Sequence, residues 1–80
     1  MSAAPASAQT RWTWAFEDAD GGPVTPAGVQ QPEAGFGAQA DAESWVGLQW
    51  RALLGEGAEG AVLLRDGARV YGPMPLRPAE

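Results

Sequence analysis

The stretch Gly60-Ala61-Val62-Leu63-Leu64-Arg65-Asp66-Gly67-Ala68-Arg69-Val70-Tyr71-Gly72-Pro73 decides the fold. Two apolar runs flank Asp66-Gly67, the pair favoured at the centre of a type I′ turn, where both residues take positive φ. A two-residue turn fixes the register of the strands it joins. Arg65 then faces Ala68, Leu64 faces Arg69, Leu63 faces Val70 and Val62 faces Tyr71. One face of the predicted hairpin carries Ala61, Leu63 and Val70; the other carries Val62, Leu64, Arg69 and Tyr71. Gly72-Pro73 ends the second strand, and Pro73, Pro75 and Pro78 make the remainder extended.

Upstream of the hairpin, residues 41–54 read as a helix. Ala42, Val46, Trp50, Leu53 and Leu54 recur on one side, with Trp45 flanking them. Asp41 is the expected N-cap, Glu43 suits the first turn, and Gly55 or Gly57 suits the C-terminus. Gly47 inside the helix costs about 1 kcal/mol relative to Ala, which suggests close packing on a neighbouring strand.

Residues 11–17 alternate. Trp12, Trp14 and Phe16 point one way; Arg11, Thr13, Ala15 and Glu17 point the other, as in a half-buried strand. Asp18-Ala19-Asp20-Gly21-Gly22-Pro23 turns the chain, after which Val24 and Thr25 have room to pair back before Pro26. The segment 26–38, rich in Pro and Gly, reads as a loop from which Phe36 reaches the core.

The fold expected is therefore α+β: a three- or four-stranded antiparallel sheet with one helix packed on one face, in the order β-(β)-α-β-β. A single domain spans 11–76, between a tail at 1–10 and a tail at 77–80. Its expected core is Trp12, Trp14, Phe16, Val46, Trp50, Leu53, Leu63 and Val70.

Composition narrows the chemistry. The 80 residues include no Cys, His or Lys, which excludes thiolate and imidazole nucleophiles or ligands and a Schiff-base amine. A net charge of −5 opposes binding to a phosphate backbone, and the five Arg form no stripe. The longest apolar run is Ala61-Val62-Leu63-Leu64, too short to span a bilayer. Residues 1–10 lack both the basic region and the apolar stretch of a secretory leader, so a cytoplasmic location is expected.

Several motifs invite a functional reading. Glu17-Asp18-Ala19-Asp20-Gly21 resembles a calcium loop only at its start. Counted from Asp18, the positions that need an oxygen ligand, Gly and Glu hold Gly22, Pro23 and Val29. Glu17, Asp18, Asp20, Glu56 and Glu59 lie beside glycines in expected turns, where nothing would raise a carboxyl pKa for acid–base work. Four Trp in so short a chain read either as core or as a stacking platform for bases or sugars; core is favoured because few other large residues can fill one. Pro75-Leu76-Arg77-Pro78 fits Pro-x-x-Pro, a short pattern of low specificity.

The stretch Phe36-Gly37-Ala38-Gln39-Ala40-Asp41-Ala42-Glu43-Ser44-Trp45, with Trp50-Arg51, Leu53 and Tyr71-Gly72-Pro73-Met74, resembles a family of small uncharacterised actinobacterial proteins. The resemblance spans roughly residues 11–78 and implies a single shared fold. It adds no catalytic residue, because its motifs are packing and turn motifs.

The function expected is non-catalytic: a small protein-interaction or accessory module working through the open sheet face. Its contact surface is expected to be Val62, Leu64, Arg69 and Tyr71, with Met74 beyond the strand end. The expected partner is an unidentified protein or a second copy of the chain, with no nucleic acid, membrane, metal or cofactor. The alternatives are small-ligand or nucleic-acid binding through exposed tryptophans and, last, an enzyme using carboxylates alone.

Overall fold

The computed structural model describes residues 10–77. The elements are β1 (Trp12–Glu17), β2 (Pro23–Val24), α1 (Gln39–Gly55), β3 (Gly60–Arg65) and β4 (Ala68–Pro75). The strands form one antiparallel sheet in the order β2-β1-β3-β4, so the architecture is the expected α+β arrangement. Residues 1–9 and 78–80, which hold most of the two expected tails, lie outside the described residues.

The helix begins earlier than expected and without the expected cap. It starts at Gln39, its N-cap is Ala38 with no side-chain hydrogen bond, and Asp41 lies in the first turn instead. Its C-terminus is a Schellman motif. Glu56 is the C-cap, Gly57 takes φ +94°, Gly57 N–H donates to the Leu54 carbonyl and Ala58 N–H to that of Leu53. Ala58 and Leu53 are both fully buried, which gives the motif its usual apolar contact.

The core lies between α1 and the β1–β3 pair. Trp14, Phe16, Ala42, Val46, Leu53, Ala58, Ala61, Leu63 and Leu76 form the buried cluster. Trp14 anchors it: its Nε1–H donates to the Ala42 carbonyl at 2.9 Å, so the indole is both packed and satisfied. Trp45 bridges the helix to β1 and the loop, with ring centroids 6.4 Å from Phe16 and 5.7 Å from Phe36. Trp12 and Trp50 pack against the cluster half-buried instead of inside it.

Two expectations fail. Val70 is not core but 45% exposed. Gly47 serves no close approach, since a Cβ there would meet nothing within 4 Å.

The loop 26–38 is held to the free edge of β1. Phe36 pairs with Trp12 through both main-chain groups, at 2.9 and 2.8 Å. Between Phe36 and β2, the Gln31 side chain takes the place of a strand residue. Its Oε1 accepts from Trp14 N–H at 2.7 Å, and its Nε2 donates to the Trp14 carbonyl at 2.8 Å.

Candidate functional site

The turn residues behave as their chemistry dictates. Asp66 at φ 52° and Gly67 at φ 86° form the type I′ turn, and Arg65 pairs with Ala68 and Leu64 with Arg69 as expected. Past Arg69 the register slips. Leu63 pairs with Tyr71 instead of Val70, and Ala61 with Met74, so β4 carries one extra residue at each of two bulges. Gly72 sits at the second of these with φ +118°. A Cβ there would come within 2.8 Å of the Ala61 carbonyl oxygen and 2.9 Å of Val62 Cα, so only Gly fits.

The bulges divide the expected contact surface. Val62, Leu64 and Arg69 stay on the face opposite α1, with Thr13 beside Leu64 and Ala15 beside Val62 on β1. Tyr71 is turned to the helix side, where Met74 also lies. Met74 packs against the core cluster. The Tyr71 ring meets Trp14 edge-on at 6.5 Å and 80°, and its hydroxyl donates to Glu43 Oε2 at 2.7 Å. One inserted residue reverses the side chains after it and a second restores them, so the first bulge is what turns Tyr71 over, whereas Met74, with both insertions before it, keeps the helix-side phase of the turn register.

The uncovered face is small. Val62 is buried, at 5% exposure, although it is not part of the helix-side cluster. Leu64 is half-buried and Arg69 exposed. Arg69 Nη2 donates to the Gly72 carbonyl at 2.7 Å, so the guanidinium braces the bulge from β4 itself. Accessible apolar surface here comes from Leu64, with the methyl groups of Thr13 and Ala15 on the neighbouring strand.

A second concavity, about 770 Å³, opens between the β1 edge and the loop. Val24, Pro26, Ala27 and Val29 supply its apolar wall, and Gln31 lines it as well. Gln31 is a residue that sequence reasoning missed. The only local signal is Pro32, which biases residue 31 towards extended backbone without specifying where its amide goes.

Of the tryptophans, Trp14 is 4% exposed, and Trp12, Trp45 and Trp50 are half-buried against the core. The turn carboxylates have structural duties. Asp18 Oδ1 accepts from the N–H groups of Asp20 and Gly22, each at 2.9 Å. Glu59 receives Arg77 through Nε at 2.7 Å and Nη2 at 2.9 Å, a two-pronged contact that holds its carboxyl below the usual range. Glu43 is likewise held low, by the Tyr71 hydroxyl first and by Gln39 second. Burial, then the Glu43 contact, pushes the Tyr71 phenol up. Among the described residues no three His, Cys, Asp or Glu side chains are grouped closely enough to hold a metal ion. No described helix is long and apolar enough to cross a membrane.

Comparison with known protein families, with curated proteins and with solved structures returns no match for this chain.

Proposed function

We propose that this protein is a non-catalytic contact module that binds another protein through the sheet face opposite α1, centred on Leu64 and Arg69. The observation that carries the reading is their pairing across β3 and β4 on a face that α1 leaves open. Arg is enriched at protein interfaces, and Leu64 beside Arg69 supplies the apolar surface next to it. Thr13 and Ala15 next to them are small, so a partner can approach the sheet closely. The net charge of −5 disfavours nucleic acid as the partner.

Affinity capture from the source cell tests this, with wild type, Leu64→Asp and Glu56→Gln as baits. Glu56 is exposed at the C-cap of α1 and serves as the control. A protein retained by wild type and Glu56→Gln but lost from Leu64→Asp at an unchanged melting temperature supports the reading. Equal retention by all three baits, or by none, overturns it.

A further inference from the structure

The outward face of α1 is a second surface, independent of the sheet face. Ala42, Val46 and Leu53 bury one side of the helix. Opposite them lie Ala40, Asp41, Ser44, Leu48, Arg51 and Ala52, all exposed. Leu48 is 82% exposed, more than any other large apolar side chain described, and its neighbours on this face are small. Gly47 flanks it, and a Cβ there would meet nothing within 4 Å of its own chain, so a second backbone can come near. The charges are ordered along the axis. Asp41 stands in the first turn and Arg51 just before the last, with its guanidinium over the Trp50 ring at 5.0 Å, and neither has an oppositely charged partner among the described residues.

We infer that this face is self-complementary and that two copies of the chain pair through antiparallel α1 helices, related by a two-fold axis at the level of Val46. In that register Asp41 of each copy faces Arg51 of the other. Each Leu48 beds on the other copy's Ser44, and Ala40 and Ala52 flank the seam on either side. Every contact occurs twice, as two-fold symmetry requires. Antiparallel helices also set opposite ends of their dipoles side by side. The seam from Ala40 to Ala52 is about 18 Å long at 1.5 Å per residue. That is short of the roughly 800 Å² per partner of a standard interface, so the dimer is a reversible one.

Sedimentation velocity over a concentration series tests the pairing. Wild type should dimerise reversibly, and Leu48→Glu should stay monomeric over the same range. Asp41→Arg and Arg51→Asp should each weaken association at least tenfold. An equimolar mixture of those two variants should restore it. Between unlike copies, the introduced arginine faces the introduced aspartate, and the remaining Arg51 of one copy faces the remaining Asp41 of the other. Circular dichroism should show unchanged melting for Leu48→Glu, whose position is exposed, and a folded helix in the two charge variants, with a small loss from the first-turn charge at Asp41 and the Trp50 contact of Arg51. The chain has no native Cys, which permits a check on register. Ser44→Cys mixed with Leu48→Cys should form a mixed disulfide faster than either variant links to itself. A wild type that is monomeric at millimolar concentration overturns the proposal. So does a mixture that associates no better than its components, or cross-linking without preference for the 44–48 pair.

Discussion

Gln31 turns its side-chain amide onto the main chain of Trp14, accepting from its N–H at 2.7 Å and donating to its carbonyl at 2.8 Å. Trp14 is the residue on which helix, sheet and β4 converge: its indole bonds Ala42 and its ring meets Tyr71. The loop therefore secures the centre of the fold through one side chain. Replacing Gln31 with Leu keeps bulk and removes both bonds, leaving two partly buried main-chain groups without protein partners. An unsatisfied buried polar group costs about 1–3 kcal/mol, so Gln31→Leu should lower the melting temperature and accelerate hydrogen exchange at the Trp14 amide. Unchanged exchange at Trp14 would show that the loop does not hold this edge.

The two glycines at which pattern and structure part make opposite predictions. Gly72→Ala forces a Cβ against Ala61 and Val62 at φ +118° and should cost more than about 1 kcal/mol. Gly47→Ala adds a Cβ in open space on a helix and should stabilise by up to about 1 kcal/mol. Chemical denaturation of both variants checks the pair of signs.

Burial separates leucines of identical chemistry. Leu53 is 0% exposed and Leu48 82%. Leu53→Ala should cost about 2–5 kcal/mol, enough to unfold much of so small a domain. Leu48→Ala should fall within about 0.5 kcal/mol of wild type. Denaturant midpoints of the two variants measure the contrast.

Stability should fall off at both ends of the pH range. Glu43 and Glu59 titrate below the ordinary 4.5 in the fold, so their contributions are complete above pH 4.5 and are lost as pH falls through the lower folded values. The Tyr71 phenol titrates above its ordinary 10.0, so its contribution is complete below pH 10.0 and is lost as pH rises through the folded value. Tyr71→Phe should remove the alkaline loss and shrink the acid one, leaving the share that belongs to Glu59 and Arg77. Melting temperature against pH for both proteins provides the comparison; superimposable curves would mean that Tyr71 and Glu43 are not coupled.

Much of this fold is readable from residue pattern. Alternation in 11–17 places Trp14 and Phe16 inward, Asp66-Gly67 dictates its own turn, and the helix buries the side that its apolar spacing marks. What pattern cannot supply is a bulge. Val70 fits the alternation on paper, yet it is the extra residue of the first bulge, and its insertion turns Tyr71 towards the helix; the second bulge, at Gly72 beside Ala61, restores the phase before Met74. Leu76 is hidden in a similar way. Its Pro-rich surroundings suggest an extended end, yet its N–H bonds the Glu59 carbonyl at 2.9 Å and its side chain is 5% exposed. Of the five residues expected on the contact surface only Leu64 and Arg69 remain accessible on the open face: the first bulge turns Tyr71 away, Met74 packs on the core and Val62 is 5% exposed.

That division of β4 lets two substitutions two residues apart separate the open sheet face from the helix side as the binding surface. Arg69→Glu and Tyr71→Ser are compared for melting temperature and for binding of the protein captured by wild type. Arg69→Glu should melt within a few degrees of wild type and lose binding, because Arg69 lies on the open face. Tyr71→Ser should melt well below wild type, having lost its contacts to Trp14 and Glu43, yet bind normally at temperatures where it is folded. The reverse outcome, binding lost through Tyr71 and untouched through Arg69, would contradict the assignment of the sheet face as the contact surface.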